Sequence, residues 1–186
     1  MNRASLRLGF LLLALNLNAA PKEELVSLFE SRRVTVNIPD GFVFMNDHDA
    51  DGVIVARLNA PADGVSLQII FLPDASGRFN GLRERAEFLV ERFENYVGDS
   101  TEKAMQFEEL EPRLGRGTYC SFTDAKLLGK KDLPAGEYLH ATVGVKVWPG
   151  VFAVFTLFSN DLKSKNHLAA MDLLRDSVHE KPGPLR

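Results

Sequence analysis

Two apolar runs constrain this chain most, "LQIIFL" at residues 67–72 and "VFAVFTLF" at residues 151–158. Neither alternates apolar with polar residues. As strands they would carry apolar side chains on both faces, and such strands are stable only in a sheet that is covered on both sides. The chain must therefore supply two covering layers.

Two amphipathic segments can provide that cover. Over residues 80–97, Leu82, Ala86, Leu89, Phe93 and Tyr96 or Val97 recur at spacings of three and four, with Glu84, Glu87, Glu91 and Glu94 on the other side. This is a helical period, and Gly98 is a natural stop. The second predicted helix runs over residues 161–178, with Asn160 or Asp161 as cap and Leu168, Met171, Leu174 and Val178 as its stripe. A short helix is predicted over residues 21–32 from Leu25, Leu28 and Phe29. Strand patterns fill the rest: "RVTVNIP", "DGFVFMN", "GVIVARL" and "VSLQIIFLP" before the long helix, then "KAMQFEEL", "GTYCSFTDAKLL", "YLHATVGVKVW" and "VFAVFTLFS" after it. Short links between strands imply antiparallel pairing. The expected fold class is α+β: an α/β/α sandwich whose central, mainly antiparallel sheet is flanked by two long helices.

Residues 1–20 read differently. Arg3 and Arg7 precede an apolar run from Leu8 to Leu17, and Ala19 and Ala20 follow. This is the pattern of a secretory signal, and the run is shorter than the roughly 20 residues that span a bilayer. The expectation is a signal peptide at 1–20, one domain at 21–181, a disordered tail at 182–186, and a periplasmic or secreted location with no membrane span after signal removal. Losing two arginines takes the formal charge from -3 to about -5. No basic block exists, which argues against a nucleic-acid partner. Cys120 is the single cysteine, so no intrachain disulfide can form.

"VNIPDGF" opening the domain and "LLRDSVHE" closing it, around strands and one central helix, resemble the PsbP-like superfamily, whose bacterial members include exported DcrB-like proteins. Phe42 stands where such families commonly carry tryptophan. The resemblance implies the α/β/α sandwich and a binding or accessory role at the bacterial cell envelope. It implies no catalytic residues.

Candidate sites are few. "NDHDADG" sets Asp47, Asp49 and Asp51 on alternate positions before Gly52, as a calcium loop begins. The twelfth position counted from Asp47 is Leu58 rather than glutamate, and strands flank the loop, so an EF-hand is excluded. The expectation is no cofactor, an ordinary hairpin tip being favoured over a looser calcium loop, and His48 with scattered carboxylates is a weak case for a transition metal. Trp148, in "VWPGVF", lies near a hairpin tip, where an exposed ring suits a protein partner; the alternative is a ring folded over the core rim. Lys130 and Lys131, in the polar loop "LLGKKDLPAGEY", are further partner-binding candidates. His140 and Cys120 form a nucleophile–base pair only if they meet across the sheet. The favoured function is a non-enzymatic binding or accessory protein with a protein partner. The alternatives are an immunity or inhibitor protein whose acidic surface covers a toxin, a calcium-dependent assembly module, and a hydrolase using His140 and Cys120.

Overall fold

The computed structural model describes residues 22–29, 32–48, 53–112, 114–177 and 179–181. Ten strands and three α-helices follow one another among them: β1 Lys22–Ser27, β2 Arg33–Ile38, β3 Val43–His48, β4 Ile54–Ala60, β5 Val65–Asp74, α1 Leu82–Phe93, α2 Asn95–Asp99, β6 Glu108–Glu109, β7 Arg116–Thr123, β8 His140–Trp148, β9 Gly150–Ser159, α3 Lys165–Asp172 and β10 His179–Lys181. A seven-stranded sheet runs β3-β4-β5-β9-β8-β7-β6, antiparallel throughout, and a three-stranded sheet runs β1-β2-β10.

The two constraining runs occupy β5 and β9, which are neighbours near the middle of the large sheet. Both faces are covered as their composition requires, but not by two long helices. On the inner face, Leu58, Leu67, Ile69, Ala153, Phe155 and Leu157 share one core with Val26, Val34, Val36 and Ile38 of the small sheet and with Ala170, Met171, Leu173 and Leu174. On the outer face, Leu89 of α1 packs on Val145, Val147, Phe152 and Val154. The longest helix, α1, has 12 residues. The expected α/β/α sandwich is therefore overturned: the protein is mostly β, and a second small sheet does the work assigned to one helix.

The physical cause lies at both ends of the chain. Residues 21–32 were expected as a helix, yet Lys22–Ser27 is strand β1, paired with Arg33–Ile38. Val26 and Leu28 are both buried, a spacing of two that a helix would place on different sides. Short apolar runs fit either period, and the available partner strand decided. The last helix is cut short. Ser164 caps it, its Oγ accepting the His167 N–H at 3.1 Å, and regular α geometry ends at Asp172. A π-helical turn takes over at Leu173–Ser177. There Lys146 of β8 donates to the carbonyls of Leu174 and Arg175 at 2.8 and 3.1 Å, which supplies donors to carbonyls that a helix end leaves unpaired. His179, Glu180 and Lys181 then form β10 against β2; residues 182–186, expected as a tail, lie outside the described residues.

The first helix also ends late and in two pieces. The α2 segment passes through Gly98, the expected stop, to Asp99. Its docking is fixed by Arg85, buried on the sheet side of α1. Arg85 Nε donates to Thr118 Oγ1 at 2.8 Å, and Nη1 donates to the carbonyls of Asn80 and Phe79 at 2.8 and 3.3 Å. Beside it Phe79 stacks on Phe152 at 4.0 Å, and Phe88 meets Phe152 edge-on at 4.9 Å.

Candidate functional site

Register determines which side chains meet on the outer face. Phe122 of β7 lies opposite Ala141 of β8, and Ala141 lies opposite Phe158 of β9. Residues opposite one another in a ladder share a face, so Phe122, Ala141 and Phe158 form one row. The two phenylalanines are separated by two strand spacings, about 10 Å. A methyl group between two rings leaves a hollow.

Each wall of the hollow is doubled. Tyr96 of α2 stacks on Phe122 at 5.7 Å, and Tyr138 stacks on Phe158 at 5.4 Å. Tyr138 comes from the connection between β7 and β8, residues 124–139, long enough to be a functional loop rather than a plain turn. It is pinned to the sheet and to α2. Asp124 N–H donates to Leu139 O and Ala125 N–H to Asp99 O, each at 2.9 Å, and Leu127 is buried beneath it. The outcome is a cleft of about 640 Å³ floored by Ala141, within the usual range of small-ligand sites, roughly 300–1,000 Å³.

Charges line the mouth. Asp99, Asp124 and Glu137 face Lys126 and Lys130. Lys126 pairs with Asp99 at 2.7 Å. Its ammonium holds the Asp99 carboxyl below the usual range, and Asp99 in turn raises Lys126. Partial burial in the wall pushes the Tyr96 phenol up.

A second hollow, about 230 Å³, opens on the inner face between β7, β8 and α3. Its polar groups already satisfy one another. Tyr119 donates to Glu108 at 2.9 Å, Ser121 and Thr142 bond at 2.8 Å, and Ser159 and the His167 Nδ1 bond at 2.9 Å.

The residues singled out from sequence fare differently. Lys130 stands at the rim of the large cleft, with Lys131 exposed beside it. Trp148 is not exposed at a tip. It is 2% exposed and part of the inner core, and the turn that follows is clamped by Arg32, whose Nη1 donates to Pro149 O at 2.7 Å. Gly150 suits this turn because its φ of +79° lies in the left-handed region that favours glycine. Its burial removes the argument that Trp148 meets a partner.

Cys120 and His140 are not brought together. Cys120 pairs with Val143 on the outer face, whereas His140 pairs with Thr123, at odd offset from Cys120 and so on the inner face. The sheet itself separates them, and burial pushes the Cys120 thiol up to about 12. Asp47 is part of β3, where its Oδ1 accepts the His48 N–H at 2.8 Å and its Oδ2 lies 3.7 Å from Arg57 Nη1. Asp49 and Asp51 lie outside the described residues. Among the described residues no three His, Cys, Asp or Glu side chains are grouped to hold a metal, and no helix is long and apolar enough to cross a membrane.

Sequence reasoning missed the row Phe122–Ala141–Phe158 and its partners Tyr96 and Tyr138. The only signal was the long polar loop carrying Lys130. A scan against protein-family models and searches of curated proteins and of solved structures found nothing that matches this chain.

Proposed function

We propose that this chain is an exported, non-catalytic binding protein that holds a small amphipathic ligand in the outer-face cleft. The observation that carries the reading is the Phe122–Ala141–Phe158 row, which hollows the sheet between two doubled aromatic walls. A cleft with aromatic walls and a mixed polar lining fits a ligand with an apolar body and a polar end. With Trp148 buried, a protein partner loses its aromatic anchor, and a small ligand is the better fit. Export is supported by Arg3, Arg7 and the apolar run from Leu8 to Leu17. A binding role rather than catalysis is supported by the separation of Cys120 from His140.

The test is a fragment screen by protein-observed NMR, run in parallel on the protein and on Ala141→Leu. Ala141 lines the cleft and is 7% exposed, so leucine adds its bulk at the floor. Aromatic and amphipathic fragments should shift resonances around Tyr96, Tyr138 and Ala141, and the variant should keep its fold and lose these shifts. A cleft that takes up no fragment, or equal binding by the filled variant, would refute the proposal.

A further inference from the structure

Resting on the reading of the cleft as a ligand site, we infer that its ligand is a compact organic cation, with a quaternary ammonium head seated on Ala141 between the Phe122 and Phe158 walls. Four aromatic rings line the hollow, in two stacked pairs; Phe122 is 3% exposed, and the more accessible rings are Tyr96, Tyr138 and Phe158. The face of each ring carries the negative part of its quadrupole, which attracts a cation within about 6 Å of the centroid and repels an anion. The mouth points the same way. Three carboxylates stand against two ammonium groups, and one of those, Lys126, is already paired with Asp99. Asp124 and Glu137 thus outnumber Lys130 at the remaining rim.

A quaternary head fits better than a primary amine. A primary ammonium brings three donors that need acceptors, and the side chains of Phe122, Ala141 and Phe158 offer none. A methylated head is apolar at its surface and charged at its centre, so it loses little on leaving water. Lys130 discriminates against simple cations that carry no anionic or hydroxyl end, since it can hold such an end at the rim.

Choline and its neutral isostere 3,3-dimethylbutan-1-ol are titrated by calorimetry and NMR. Choline should bind about tenfold more tightly than the isostere, the order expected for a partly desolvated cation–π site. Ala141→Leu should abolish the binding of both. Glu137→Gln should weaken choline severalfold and leave the isostere unchanged. Equal affinity for the two compounds would overturn the cation inference and leave the cleft as a ligand site. Failure of choline while aromatic fragments still bind would do the same. No binding of any compound would overturn both. Sedimentation with phosphatidylcholine vesicles, blocked by Ala141→Leu, would assign the cation to a lipid headgroup; choline binding without such sedimentation would assign it to a free molecule.

Discussion

Replacing Arg85 with methionine isolates the bonds that dock α1. Methionine keeps much of the apolar stem's packing but removes the guanidinium. Thr118 Oγ1 and the Asn80 carbonyl each lose a 2.8 Å bond, and the Phe79 carbonyl loses one at 3.3 Å. Bonds to a charged donor contribute about 1.5–3 kcal/mol each, offset by relief from burying the charge. The net loss is about 3 kcal/mol. Glu109 adds little. It sits 3.4 Å from Arg85 Nη2 and is 48% exposed, so Glu109→Gln should cost less than about 1 kcal/mol. Urea unfolding of both variants, followed by far-UV circular dichroism, measures the two costs. Because α2 carries Tyr96, the Arg85 variant should also weaken fragment binding in the cleft. A cost below 1 kcal/mol for Arg85→Met, or an equal cost for Glu109→Gln, would show that the arginine acts by some route other than these bonds.

Three further outcomes are expected. Gly144→Ala should destabilise by about 1–3 kcal/mol, as overpacking does, because the new methyl meets the Phe155 ring and lies 2.7 Å from Tyr119 Cβ; calorimetric melting measures it. Burial lowers the His167 pKa, with neighbouring His140 adding to the effect. The unfolded chain then binds the proton more readily, so stability present above pH 6.5 is lost as pH falls below it. His167→Asn should flatten that part of a urea-midpoint profile, and an unchanged slope would remove His167 as the cause. Burial lowers the Lys146 pKa to about 8 from 10.5. Between those values the unfolded state holds the proton and the folded state sheds it, so stability rises with pH by up to about 3 kcal/mol. The gain should be absent in Lys146→Met, and a wild-type midpoint that falls between pH 8 and 10 would contradict the sign.

Much of the strand content was legible. The runs at β2, β4, β5, β8 and β9 were read within a few residues, because β-branched and aromatic residues bounded by Gly, Pro, Asn and Asp mark strands locally. The α1 segment was legible for a different reason, its long and regular helical period. "KAMQFEEL" was read as a full strand, yet only Glu108–Glu109 pairs. Its pairing stops short, and Leu110 N–H instead donates to Gly117 O at 3.0 Å outside the ladder. Glu108 and Glu109, adjacent on the strand, lie on opposite faces, and the bonds of Glu108 to Tyr119 and Glu109 to Arg85 follow that split. The candidate site was almost illegible. Phe122, Ala141 and Phe158 are distant in sequence, and no local pattern says that they share a row.

By itself the sequence determined that β5 and β9 must be covered on both faces, since a strand apolar on both sides cannot face water. It also determined the period of α1. Only the tertiary structure decided what the covers are, because residues 21–32 fit either a helix or a strand until β2 offered a pairing edge. Only register decided that Cys120 and His140 lie on opposite faces and that Ala141 lies between two phenylalanines. Pairing partners are set by long-range contacts summed over the whole sheet, and a slip of one residue would send every side chain to the other face.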